Sequence, residues 1–83
     1  MKPYVIVTVQ DPQKTFAYDV EVPTDVEVGK LADDIAEVIN SYSRKNRVPS
    51  GVGLACFRLK KKLNPAETFA EAGIWTGDTL VIE

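Results

Sequence analysis

The sequence predicts an α+β fold, a mixed sheet of four to five strands with one long helix packed across one face. Three observations carry this. Tyr4 to Gln10 and Thr15 to Val22 both alternate with the two-residue period of a strand, on either side of a turn. From Val28 the apolar period lengthens to that of an amphipathic helix, and from Thr79 the alternation returns and runs to Glu83. A chain of 83 residues has room for one domain, 1–83. A domain of this size buries only about 60% of the surface its unfolded chain exposes, so its core must be compact.

In the first strand Val5, Val7 and Val9 share one face and Tyr4, Ile6 and Thr8 the other. Asp11-Pro12-Gln13-Lys14 supplies turn chemistry, because Pro12 fixes its φ and Asp11 can hydrogen-bond nearby backbone. In the second strand Phe16, Tyr18, Val20 and Val22 lie opposite Thr15, Ala17, Asp19 and Glu21, so the apolar set is the expected core face, and Pro23 ends the strand. Val28, Leu31, Ala32, Ile35, Val38, Ile39 and Tyr42 then form one helical stripe. Thr24 and Glu27 have the spacing of a capping box, and Arg44, Lys45 and Arg47 stand near the other end, where the helix dipole favours cations. Gly29 costs at most about 1 kcal/mol relative to alanine, less in a first turn.

Ser43 to Gly53 reads as a long turn-rich connection. Leu54 to Leu59 reads as a third strand whose facing is ambiguous: either Ala55, Phe57 and Leu59 point inward, or Leu54 and Cys56 do. The first is preferred, because Arg58 and Lys60 then share a solvent face. Lys60-Lys61-Lys62 is expected to turn, with Leu63 starting a short return. Thr68 and Glu71 bracket a single helical turn that Gly73 ends, and Trp75 to Asp78 turns the chain into the last strand. The order of these elements is that of a β-grasp, with the first and last strands parallel in the centre.

Composition excludes several function classes. Apolar residues at 45% and charged residues at 27% belong to a folded globular chain. The apolar run near the start is three residues, Val5 to Val7, far short of the roughly 20 needed to span a bilayer, so no direct membrane insertion and a cytoplasmic location are expected. A net charge of −2 gives no overall pull toward nucleic acid. Locally the charges separate: residues 11 to 37 carry eight acidic groups against Lys14 and Lys30, while residues 44 to 62 carry seven cations and no acid. Solvated faces are the ordinary explanation of such runs.

There is no histidine, which removes the commonest general base and metal ligand and with it Ser-His-Asp and Cys-His arrangements. Asp33, Asp34 and Glu37 lie opposite the apolar stripe, where solvated acids rather than converging metal ligands are expected. Cys56 is the single cysteine and reads as a structural thiol. No enzyme activity, cofactor or metal is expected. The expected function is protein binding through the sheet face that the helix leaves open, with Tyr4, Ile6 and Val81 outward, Arg58 and Lys60 as a basic margin, and Trp75 as an anchor or core-edge cap.

Val22-Pro23-Thr24-Asp25-Val26-Glu27-Val28-Gly29-Lys30-Leu31 and Leu63-Asn64-Pro65-Ala66-Glu67-Thr68-Phe69-Ala70-Glu71-Ala72-Gly73-Ile74-Trp75-Thr76-Gly77-Asp78-Thr79-Leu80 resemble the YukD-like ubiquitin-fold proteins of type VII secretion loci. They are also similar to the cytoplasmic ubiquitin-like domain of the multi-span membrane component of those machines in actinobacteria. The resemblance covers essentially the whole chain and implies a ubiquitin-like accessory or regulatory protein that docks onto secretion components without catalytic residues. A strand running into Glu83, in place of a flexible tail with paired glycines, argues for this reading over a carrier that works with an activating enzyme. A signalling β-grasp domain that meets an acidic partner through its basic third strand is a third reading.

Overall fold

A computed structural model describes residues 3–42, 47–49 and 51–83. Two seven-residue strands, β1 (Tyr4–Gln10) and β2 (Ala17–Pro23), are followed by helix α1 (Val28–Tyr42). The short β3 (Leu54–Cys56) and β4 (Lys61–Lys62), a single helical turn α2 (Phe69–Ala72) and β5 (Thr79–Ile82) complete the chain. The five strands form one mixed sheet in the order β2-β1-β5-β3-β4, with β1 and β5 parallel and the other pairs antiparallel. The chain is a ubiquitin-like β-grasp, as the element order predicts.

Beta2 starts two residues later than its alternation suggests because Asp11 claims the intervening amides. Its carboxylate accepts from the Thr15 N–H at 2.6 Å, the Phe16 N–H at 3.3 Å and the Thr15 hydroxyl. The hydroxyl bond is the main cause of an Asp11 pKa below the usual carboxylate value. Val7 and Val9 are buried completely, Val22 nearly so, and Phe16, Tyr18 and Val20 lie half-buried on the same side of the sheet.

The capping box expected at Thr24 does not form. The helix begins at Val28, four residues further on, and Thr24 instead donates through its hydroxyl to the Pro3 carbonyl at 3.4 Å. The first helical amides are satisfied from another part of the chain: Val28 N–H donates to Glu67 O at 2.8 Å and Gly29 N–H to Pro65 O at 3.0 Å. A Cβ on Gly29 would lie 3.2 Å from Pro65 Cβ, so this glycine admits the neighbouring loop. Val28, Leu31, Ala32, Ile35 and Ile39 are core, and Ala36 joins them, whereas Val38 and Tyr42 are 40% and 76% exposed. The sheet covers a narrower arc of helix than the sequence stripe spans. Arg44 and Lys45, expected at the helix end, lie outside the described residues.

The preferred facing of the third strand is reversed. Leu54 and Cys56 are buried against the helix, Ala55 faces the open side, and Phe57 is 65% exposed. Beta3 ends at Cys56, and the turn falls at Phe57 to Lys60, closed by Lys60 N–H to Phe57 O at 3.3 Å with Lys60 at φ 54°. The expected basic turn is therefore partly strand: Lys61 and Lys62 pair with Cys56 and Ala55. Arg58 and Lys60 sit in the turn and not on a strand face. The capping box at Thr68 and the left-handed Gly73 form as expected, and they place Phe69 in the centre of the core.

Candidate functional site

The helix covers one face of the sheet, and strand alternation dictates what the other face shows. Tyr4 and Ile6 point out from β1 and are about half exposed. On β5 Val81 points the same way, directly opposite Ala55 of β3. Val81 is level with Gln10 in the parallel ladder. Ile6 lies four residues earlier on β1, roughly 13 Å along the strand. The expected surface is thus two clusters and not one.

The first cluster is built on β5, β3 and the turn after it. Ala55, Phe57 and Val81 line a shallow depression of about 510 Å³ together with Lys60, Lys61, Lys62 and Glu83. The last strand is held firmly here, since Glu83 and Gly53 exchange backbone hydrogen bonds at 3.0 and 3.1 Å. Phe57 was expected in the core, and its contribution to this surface follows from the early end of β3. A run of three exposed lysines gives the depression a positive margin.

The second cluster forms around the turn before β5. Ile6 accepts from Gly77 N–H at 2.8 Å and donates to the Thr76 hydroxyl at 3.2 Å, which sets the Trp75–Gly77 turn beside it. Trp75 is 65% exposed, and the Arg58 guanidinium lies 4.3 Å from its ring centroid. Arg58 is held through two of its three guanidinium nitrogens: Nε and Nη2 donate to the Asp78 carboxylate at 2.7 and 3.0 Å, and Nη2 also donates to Gly73 O at 2.7 Å. Asp78 is buried and further accepts the Trp75 N–H at 2.7 Å. The Arg58 hydrogen bonds hold the Asp78 carboxyl below its usual pKa. Arg58 is therefore a clamp between two turns and not a loose steering charge, and only proximity across 20 residues of sequence reveals it.

Cys56 is buried, Asp33, Asp34 and Glu37 are solvent-exposed, and among the described residues no three His, Cys, Asp or Glu side chains group to hold a metal. No helix among the described residues is long and apolar enough to cross a membrane.

Comparison with known proteins agrees with the fold. The family model described as "WXG100 protein secretion system (Wss), protein YukD" matches residues 4–82. No curated protein matches in sequence. Among solved structures, a chain of the MycP5-free ESX-5 inner membrane complex is similar at TM-score 0.79 and 20% identity; the match takes in 96% of this chain but only 20% of that one. The chain therefore spans about a fifth of the length of that relative. The EccD5 ubiquitin-like domain from Mycobacterium xenopi is similar at TM-score 0.81 and 15% identity, over 98% of this chain and 93% of that one. The ubiquitin of Caldiarchaeum subterraneum gives 0.74 and 16%, over 96% and 91%.

Proposed function

The chain belongs to the YukD family of the WXG100 protein secretion system, and from that premise we propose that it is a non-catalytic module that docks onto other components of the machinery, on its cytoplasmic side, through the open face of its sheet. Family membership and fold support an accessory ubiquitin-like role in secretion. The likeness to a chain of an inner membrane complex and to the EccD5 domain supports partners within the machinery itself. The observation that carries the docking face is the Ala55, Phe57 and Val81 depression with its lysine margin, since an exposed apolar centre with a charged rim is the usual anatomy of a binding patch.

The roles within the patch differ. Phe57 and Val81 are the anchors, and Lys60, Lys61 and Lys62 steer an acidic partner surface. Tyr4, Ile6 and Trp75 extend the contact from the second cluster, with Arg58 holding the Trp75 turn in place. The test is co-purification of the tagged chain with the type VII membrane and ATPase components of its own source. Val81→Asp combined with Phe57→Asp abolishes capture while far-ultraviolet circular dichroism stays unchanged, because an unpaired charge at an interface centre is costly and neither residue faces the helix. Undiminished capture by the folded double variant removes this face from the docking site.

A further inference from the structure

A second surface lies at the other end of the sheet. Among the described residues β2 is an edge strand, paired with β1 alone. Thr24 N–H donates to Pro3 O at 3.1 Å. Bonded and non-bonded pairs alternate in an antiparallel ladder, so Val5 with Val22, Val7 with Val20 and Val9 with Tyr18 are the bonded pairs. Ala17, Asp19 and Glu21 consequently turn their N–H and C=O groups away from the sheet. Pro23 has no N–H to offer and marks the end of this open edge.

Beside the edge runs a groove of about 390 Å³ between β2 and α1. Its apolar wall includes Val20, Leu31, Ile35, Val38 and Tyr42. Val38 and Tyr42 are the two members of the helical stripe that the core leaves uncovered. The Tyr42 ring, part of this wall, is stacked on Tyr18 with centroids 6.4 Å apart. The charged residues that line the groove, Asp19, Glu21 and Asp34, are all acidic. Asp19 and Glu21 project on the side of the sheet away from the helix, where Asp19 accepts the Thr8 hydroxyl at 2.7 Å.

We propose that this edge receives an extended segment of a protein partner as an added strand, and that the segment alternates apolar with basic residues. Successive side chains of a strand point to opposite faces. Those turned toward α1 meet Val20, Val38 and Tyr42. Those turned the other way stand beside Asp19 and Glu21, where a lysine or arginine is favoured and a like charge is penalised. Main-chain pairing with residues 17 to 21 gives affinity, and the alternation gives specificity. Self-pairing of two β2 edges is disfavoured, because it sets Asp19 and Glu21 of one copy against the same acids of the other.

The test is a nuclear magnetic resonance titration of the isotope-labelled chain with a synthetic peptide alternating valine and lysine, about eight residues long as strands commonly run. Saturable shifts at Ala17, Asp19, Glu21, Val38 and Tyr42, weakening as salt rises, are expected. Replacing the lysines by glutamate, methylating the edge-facing peptide amides, or using the Glu21→Lys/Val38→Lys protein should each weaken binding by about tenfold or more. The peptide changes leave the protein untouched, so a misfolded variant cannot hide the answer. Equal affinity for lysine and glutamate peptides overturns the proposal. So do absence of saturable binding, shifts at Ala55 and Val81 instead, and self-association of the free chain through β2.

Discussion

At the scale of single residues, the most consequential feature is that Asp78 is buried and held by Arg58. A carboxyl whose folded pKa lies below its unfolded value of about 4 stabilises the fold above that pH and loses the contribution as pH falls through the folded value. The denaturation midpoints of the chain and of Asp78→Asn should therefore differ by a constant amount near neutral pH and converge below about pH 4. A gap that stays constant down to about pH 2 would show that the ionised pair is not its source. Gly29→Ala tests another local constraint. Helix propensity alone predicts a gain of up to about 1 kcal/mol. The 3.2 Å approach to Pro65 predicts instead a net loss of about 1 kcal/mol, read from urea melts. Neither constraint is legible in the sequence: Arg58 and Asp78 are 20 positions apart, and a glycine in a first helical turn looks merely tolerated. The same holds for Asn40, whose amide bonds both the N–H and the C=O of Val48, at 2.7 and 2.9 Å, and pins that buried residue of the long connection to the helix.

Among the elements, β1 and α1 were readable from their periodicity and α2 from its capping residues, whereas β3 was not. The bounds of β1 and α1 match their periodicity, since seven and fifteen residues average over local exceptions. Beta3 spans three residues, too few for alternation to choose a facing, and the left-handed Lys60 that ends the turn carries no sequence signal of its own. The helical stripe overstated the core for a related reason: periodicity marks a face, but the width of the covering sheet decides how much of it is buried. Leu31→Ala or Ile35→Ala should each cost about 2 to 5 kcal/mol, and Phe69→Ala about 3 to 5, because each leaves a cavity in a small core. Val38→Ala should fall within about 0.5 kcal/mol, as expected of a surface position. Chemical denaturation of the four variants checks the ordering. Equal costs at Val38 and Ile35 would place the helix in a different rotation against the sheet.

Across the whole molecule, the charge separation seen in the sequence becomes a separation between the ends of the sheet. Acidic Asp19 and Glu21 stand on the β2 edge, and Lys61 and Lys62 form β4 at the opposite edge, next to Lys60. The open face was legible as a candidate because alternation fixes which side of β1 and β5 is outward. The separation of Val81 from Ile6 on that face was not, because the parallel register that sets Val81 level with Gln10 depends on the crossover and not on either strand. We propose that this face, on its Ala55, Phe57 and Val81 side, meets the secretion machinery. Site-specific photo-crosslinking in cells that assemble the machinery tests it most directly, with the crosslinker placed in turn at Phe57, at Val81 and, on the exposed helix surface, at Asp33. Crosslinks to secretion components are expected from Phe57 and Val81 and none from Asp33; crosslinks from Asp33 with none from the sheet would contradict docking through this face.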